Sequence, residues 1–489
     1  MRIPTPLCAA LWAALLFQDG AAQGLNCRVL AHVDKFPGAI APTNNYAGCW
    51  GLVGRDGKEY ALIAARTGTI VYDCSNPAAP VEVAFVPGPA PASGPYFWRE
   101  IQGFGDYVYV ASEHGPLQVI DLRTPAAPVL AASFGGTAHS LGIDQDRGHL
   151  WAVGASGSGS LIFDLAASPT APPQIGAYTA SYVHDAFVAG GYAYLSLILD
   201  GKLRILDAQN PAQLKVLSST TTPGQFTHGC WVDPDGQTCV LTDENRGGCL
   251  TVYDVSNKKA PVQRGTWCSP NGATAHYVYL RGNIVHLACY SDGYWALDIS
   301  DPTKPQALAN YDTSPLTGND YKGDWGCYPF QPSGAVYVTD MQTGFWILEP
   351  TCGVPRHYGK PTAGKGGFVP ALDYSGGYAK VGNQGFALTG KKLRGGAPVL
   401  LVLGAAAATS SLFGVDLHID LTQPILLASG TASGTAGEAG AGAVSFGLAI
   451  PNDPGLGYQP FFTQLLVADP DAPGGMFAAS QGMKLSICP

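Results

Sequence analysis

The stretch Val71-Tyr72-Asp73-Cys74-Ser75-Asn76-Pro77 ends a short apolar run with an aspartate and then turns. The pattern returns at Val119-Ile120-Asp121-Leu122, Ile162-Phe163-Asp164-Leu165, Ile205-Leu206-Asp207, Val252-Tyr253-Asp254-Val255-Ser256-Asn257 and Ala296-Leu297-Asp298-Ile299-Ser300-Asp301-Pro302. A degenerate last copy is Ile347-Leu348-Glu349-Pro350. In each copy a strand is predicted to end at the aspartate. Its carboxylate accepts from backbone N–H groups of the turn, Ser or Asn supports that turn, and Pro fixes φ and ends the pairing. The copies recur roughly every 40 to 50 residues, the signature of a repeat with about four strands per unit.

Working outward, the third unit reads as four strands: Ala138 to Asp144, His149 to Val153, Ser160 to Asp164 and Pro173 to Tyr178. The sixth repeats this with Ala275 to Leu280, Ile284 to Cys289, Gly293 to Asp298 and Pro305 to Tyr311. The other units start near Tyr46, Phe97, Tyr182, Thr227 and Asp324, which makes seven. The last unit stops at Glu349-Pro350 without a fourth strand, while an orphan strand, Cys27 to Val33, precedes the first. The expected fold is all-β: a seven-bladed β-propeller over residues 24–352, closed by that N-terminal strand, which protects the sheet edges. A small all-β domain, sandwich-like, is expected over 353–489.

Composition agrees with an all-β reading. Gly and Pro number 63 and 38 in 489 residues, and charged residues make up only 13%. The net charge of −9, with no basic stripe, argues against nucleic acid as a partner. Residues 1–23 read as a secretory signal peptide: Arg2, an apolar core from Leu7 to Phe17, and small residues at Ala21-Ala22 with cleavage near Gln23. The apolar run Val399 to Ala408 is too short to span a bilayer. A secreted or cell-surface monomer is expected. Cysteines in an exported chain suggest several disulfides and at least one free thiol. Cys352 has two candidate partners, Cys27 and Cys488, which this reading leaves open; Cys239 and Cys249 flank a hairpin tip and could face each other.

Repeats of the form (Leu/Ile)-x-(Ile/Val)-x-Asp-x-Ser-x-Pro resemble the LVIVD repeats of bacterial surface and secreted proteins. Cys49-Trp50-Gly51, Phe97-Trp98-Arg99, Ser112-Glu113-His114-Gly115, Thr227-His228-Gly229, Thr242-Asp243-Glu244 and the stretch Trp325 to Pro350 resemble the choice-of-anchor B family. The resemblance covers about residues 25 to 350. It implies a propeller-like region followed by a variable surface-attachment segment, and supplies no biochemical activity.

In the C-terminal region, Phe386 to Leu388, Pro398 to Gly404, Val415 to Ile419, Ala443 to Ile450 and Phe462 to Val467 read as strands. Pro451-Asn452-Asp453-Pro454 and Asp469 to Gly474 are turn clusters.

Aligning the starts of the first strands brings Trp50, Trp98, His139, His184, His228, His276 and Trp325 to one register. In a propeller these side chains form a ring at one mouth of the central channel. The loops after the second strands bring Arg66, Glu113, His114, Asp243, Glu244, Asp292 and Asp340 to the same face, with Arg99, Glu100 and Asp185 beside the ring. The expected ligand-binding set is the seven ring residues with Glu113 and Asp243. Imidazoles beside carboxylates are also metal-ligand types, and His184, His228 and Asp185 are the candidate ligands for a divalent metal. The first functional reading is a binding module for a protein, glycan or small molecule, with no certain cofactor. The alternative is a metal-dependent hydrolase at the same mouth. A purely packing role for the ring competes with both.

Overall fold

The computed structural model describes residues 24–37, 44–89, 97–155, 159–473 and 475–489. The expected signal peptide lies outside the described residues. Among these residues the helices with described bounds are two single turns, Lys365–Gly367 and Pro454–Leu456, and strand dominates the regular structure. Among the described residues no helix is long and apolar enough to cross a membrane.

Seven antiparallel sheets follow one another along residues 24–350. Their first strands are Tyr46–Val53, Arg99–Phe104, Ser140–Asp144, Asp185–Ala189, Thr227–Val232, Val278–Arg281 and Asp324–Tyr328. Each first strand packs against the first strand of the next sheet, and the seventh packs against the first. The architecture is a β-propeller, and these strands line its channel. Because each sheet is covered on both faces by its neighbours, the second strands are continuously apolar and buried rather than alternating. Glu59–Ala65 and Tyr107–Ser112 are buried throughout except at their first residue. The fourth strands, such as Val81–Pro87 and Val129–Phe134, form the solvent-facing rim.

The repeated aspartate does what the sequence implied. Asp73 Oδ1 accepts from Ser75 N at 2.9 Å, Asp121 from Arg123 N at 2.9 Å, Asp207 from Gln209 N at 3.1 Å and Asp254 from Ser256 N at 3.0 Å. An Asn or Asp three residues later often repeats the device, as Asn76, Asn210, Asn257 and Asp301 do. Just upstream, the pairing of third and fourth strands skips one residue in every sheet, between Val71 and Tyr72 in the first and between Val29 and Ala31 in the seventh. Such bulges bend the outer strand and increase its twist, which turns the rim over the turn that follows.

The seventh sheet takes its outer strand from the other end of the chain. Cys27–Val33 pairs antiparallel with Gly344–Pro350. Gly24–Leu25 pairs instead with the outer strand of the sixth sheet, Gln306–Tyr311. The N-terminal segment therefore straddles two sheets.

Residues 353–489 build a sheet running Arg356–Tyr358, Gly482–Ser486, Pro460–Ala468, Pro398–Gly404, Ile425–Thr431, with Phe477–Ala479 also paired to Pro460–Ala468. A three-stranded sheet, Ala371–Ser375, Ala387–Leu393, Gly442–Gly447, accompanies it. This region grips the propeller through Asp298, the repeat aspartate of the sixth sheet. Its carboxylate accepts from the Tyr374 hydroxyl and from Tyr378 N, both at 3.0 Å, besides its own turn. Burial raises its pKa, whereas the equivalent Asp254, exposed and hydrogen-bonded by Ser256, is lowered.

Two disulfides are present among the described residues, Cys249–Cys268 and Cys352–Cys488. The second ties the start of the C-terminal region to its end. Cys27 is unpaired, and so is Cys239, which sits beside Cys230 rather than facing Cys249. The hairpin expectation fails because the outer strand of the fifth sheet brings Cys268 to Cys249 first.

Candidate functional site

Six of the seven register residues form a continuous arc at one mouth. Ring centroids lie 4.1 Å apart for His139 and His184, 4.6 Å for His184 and His228, and 4.3 Å for His228 and His276. The arc continues from His276 to Trp325 at 4.3 Å, and Trp325 stacks on Trp98 at 4.6 Å and 12°. All of them except His276, which is fully buried, border a cavity of about 630 Å³, within the range of small-molecule sites. Tyr182, Phe226, Tyr290, Tyr321, Glu244 and Arg246 are among the other residues of its wall.

The imidazoles are held by the backbone. His228 Nδ1 meets the carbonyl of His276 at 3.2 Å, and His276 Nδ1 meets the carbonyl of Trp325. A carbonyl only accepts, so each Nδ1 carries a hydrogen, and in the neutral ring Nε2 is then the acceptor. Burial, then the neighbouring imidazoles, push the pKa of His184 well below the usual histidine value; His276 is lowered for the same reasons. Nε2 of His184 and of His276 is buried without a hydrogen-bond partner. An orphaned buried acceptor costs about 1–3 kcal/mol, so the arc is not arranged for stability alone.

Glu244 reaches into this cluster. Its carboxylate lies 3.6 Å from His228 Nε2 and 3.9 Å from His276 Nε2, and accepts from the Tyr290 hydroxyl at 2.6 Å. Tyr290 is buried with a φ of 30°. A bulky residue in that left-handed region is strained, and its phenol is what the strain delivers to the site. The Ser291-Asp292-Gly293 turn and the bridge to Asp324 hold it there. The set of ligating atoms that converge is His184, His228 and Glu244, all within 4.8 Å.

Asp185 is not in that set. It is buried and accepts from the Ser140 hydroxyl at 2.9 Å. Asp185 follows His184 on an alternating strand, so its side chain leaves the imidazole face. Glu113 pairs with His139, 2.7 Å from Nδ1, at the outer edge of the arc. Asp243 is a buried turn anchor: it accepts from Thr222 Oγ1, Gly224 N and Phe226 N, and does not line the cavity. Asp292 and Asp340 are likewise spent on local hydrogen bonds, to Ser269 and Asn271 and to Gln342 and Thr343.

Trp50 is the register residue that falls elsewhere. In the first sheet Tyr46 opposes Ala65 and Cys49 opposes Ile63; in the fifth, Thr227 opposes Asp243 and Cys230 opposes Leu241. Ala47 therefore stands where His228 stands, and Trp50 where Trp231 stands. The sequence carried this signal: Gly48-Cys49-Trp50 lines up with Gly229-Cys230-Trp231 and Gly326-Cys327-Tyr328. Trp50 lies 4.8 Å from Tyr328 and borders a second cavity, of about 740 Å³, at the opposite mouth. Phe187, Trp231 and Phe330 border it too.

Between the mouths lies a buried polar layer. Glu100 accepts from the Trp325 indole N–H and packs where Gly48 lacks a Cβ: one added there would come within 2.2 Å of the Glu100 carboxylate. Burial raises the Glu100 pKa to about 8, with nearby Asp185 adding to the rise. Of the residues that matter here, Tyr290 and the aromatic partners of Trp50 went unrecognised in the sequence. Glu244 was placed on the right face but not in the ligand set.

No curated protein matches the chain. Two solved structures with similar folds are the crystal structure of RRP9 WD40 repeats and the structure of U3-55K, each 10% identical to this chain and covering 66% of it. TM-scores are 0.49 and 0.48, over 97% and 98% of those chains. The LVIVD repeat model matches four segments, residues 58–86, 99–135, 180–222 and 272–313. The chain thus carries LVIVD repeats, and the strand that ends in aspartate is their recurring part.

Proposed function

We propose that this chain is an exported, seven-bladed propeller closed by Cys27–Val33, with residues 24–352 as one domain and 353–489 as a second. Its function is to bind a ligand at the His/Trp mouth, outside the cell or at its surface. The observation that carries the reading is the cavity of about 630 Å³ bordered by His139, His184, His228, Trp325 and Trp98 of the arc, with His276 buried behind them. Stacked indoles and orphaned imidazole nitrogens are surfaces that gain from a partner more than from each other. Two disulfides support an oxidising destination.

The test is a glycan and peptide array probed with protein spanning residues 24–489. A ligand that binds wild type and loses at least about tenfold on Trp98→Ala, but not on Trp231→Ala, supports the reading. A ligand indifferent to Trp98→Ala and lost on Trp231→Ala places recognition at the other mouth and overturns it. One observation favours the second reading, metal-assisted hydrolysis: the approach of His184, His228 and Glu244 within 4.8 Å.

A further inference from the structure

The geometry points to a transition-metal centre at the polar mouth, held by Nε2 of His184, His228 and His276 and by the carboxylate of Glu244. The inference rests on reading that mouth as the working face, and gives it a specific occupant.

Three observations converge on it. The ligating atoms of His184, His228 and Glu244 already lie within 4.8 Å of one another, and His276 Nε2 is 3.9 Å from the same carboxylate. The free nitrogens face the site: backbone carbonyls occupy Nδ1 of His228 and His276, which leaves Nε2 of each as the nitrogen open to an ion, and Nε2 of His184 and His276 has no hydrogen-bond partner. The carboxylate is oriented from behind, since Tyr290 donates to Glu244 at 2.6 Å from a strained backbone. Metal-bound histidines characteristically give their second nitrogen to a carbonyl or carboxylate, and bound carboxylates are themselves hydrogen-bonded.

The donor set selects the ion. Three imidazoles and one carboxylate suit zinc or a similar transition ion, while calcium and magnesium prefer oxygen donors throughout. Bonds of about 2.0–2.2 Å to a tetrahedral ion place neighbouring donors roughly 3.3–3.5 Å apart. The 3.6 and 3.9 Å separations of Glu244 from His228 and His276 shrink by a few tenths of an ångström on loading, and the widest separation in the set, up to 4.8 Å, closes by up to about 1.5 Å.

The experiment uses tag-free protein spanning residues 24–489, with elemental analysis as purified. After chelator dialysis, zinc is titrated by calorimetry and cobalt(II) by visible absorption. The expected result is one zinc per chain and an intense tetrahedral cobalt spectrum. His228→Ala is expected to weaken zinc by more than about 100-fold and Glu244→Gln by at least about tenfold. His149→Ala, on a second strand away from the mouth, is expected to leave it unchanged. Circular dichroism verifies each fold, and Glu244→Gln, nearly isosteric, serves if His228→Ala does not fold. Folded wild type that binds no zinc below about 100 μM, or zinc affinity indifferent to Glu244→Gln, overturns the centre. The array ligand is measured separately in zinc-free protein. If its dependence on Trp98 persists there while zinc fails to bind, the metal centre falls and the binding face stands. If zinc binds and no ligand depends on Trp98, the converse holds.

Discussion

The two mouths of the channel are built from the same strands, three residues apart. His184 and Phe187, His228 and Trp231, His276 and Tyr279, Trp325 and Tyr328 are the paired ends of four inner strands. At the first mouth Nε2 of His184 and of His276 is buried without a partner, and His228 and His276 share the Glu244 carboxylate. At the second they are large and apolar and pack on one another. Trp231 lies 4.7 Å from Phe187, 4.6 Å from Tyr279 and 5.7 Å from Phe330, and Phe330 also touches Tyr328 at 5.5 Å. The aromatic mouth gains stability from its own contacts; the polar mouth spends stability on unsatisfied groups. A fold that can support the second can afford the first, which is how strained functional sites persist.

The largest expected effect tests that division directly. Tyr279→Ala removes a buried ring from the aromatic mouth and should cost about 3 kcal/mol in denaturant unfolding. His184→Ala, at the other mouth and two sheets away, removes a ring whose buried Nε2 has no partner and should change stability by less than about 1 kcal/mol. Equal losses would erase the distinction.

A smaller effect comes from the layer between the mouths. Glu100 has a folded pKa raised to about 8 by burial, above the ordinary glutamate value. The folded protein then holds a proton that the unfolded chain has released, so stability falls as pH rises from about 4.5 through 8. Glu100→Gln should remove this dependence, raising Tm by about 1–3 °C at pH 8 and leaving it unchanged at pH 4.5. Melting curves at the two pH values decide it, and a fall at pH 8 would contradict the assignment.

The register is sharpened spectroscopically. The Trp98–Trp325 stack should give an exciton couplet in circular dichroism. Trp98→Phe should abolish it, and Trp50→Phe, at the other mouth, should leave it intact. The smallest effect belongs to the edge of the arc. Glu113 is partly exposed, so Glu113→Gln should cost less than about 1 kcal/mol, and a larger loss by denaturant titration would make His139 part of the core cluster.

Local chemistry was legible in the sequence and distant chemistry was not. The repeat is written in side chain–backbone bonds two residues long, Asp73 to Ser75 or Asp254 to Ser256, so reading the turns required no tertiary knowledge. The arc from His139 to Trp325 was legible because the spacing between units is regular. Trp50 was misplaced because residue type was matched instead of the Gly-Cys-aromatic triplet that fixes the register. Glu244 and Tyr290 act together from different sheets, 46 residues apart, and neither local pattern announces the pairing. The disulfide of Cys352 with Cys488, 136 residues away, is of the same non-local kind.

The seam of the seventh sheet has a consequence for the order of assembly. Arg28 on the N-terminal strand meets Glu349, 321 positions later. A chain delivered from its amino end must therefore keep its first strand waiting until the final sheet exists. Contacts so distant in sequence form slowly, and the circle becomes cooperative only when its oldest and youngest strands finally meet.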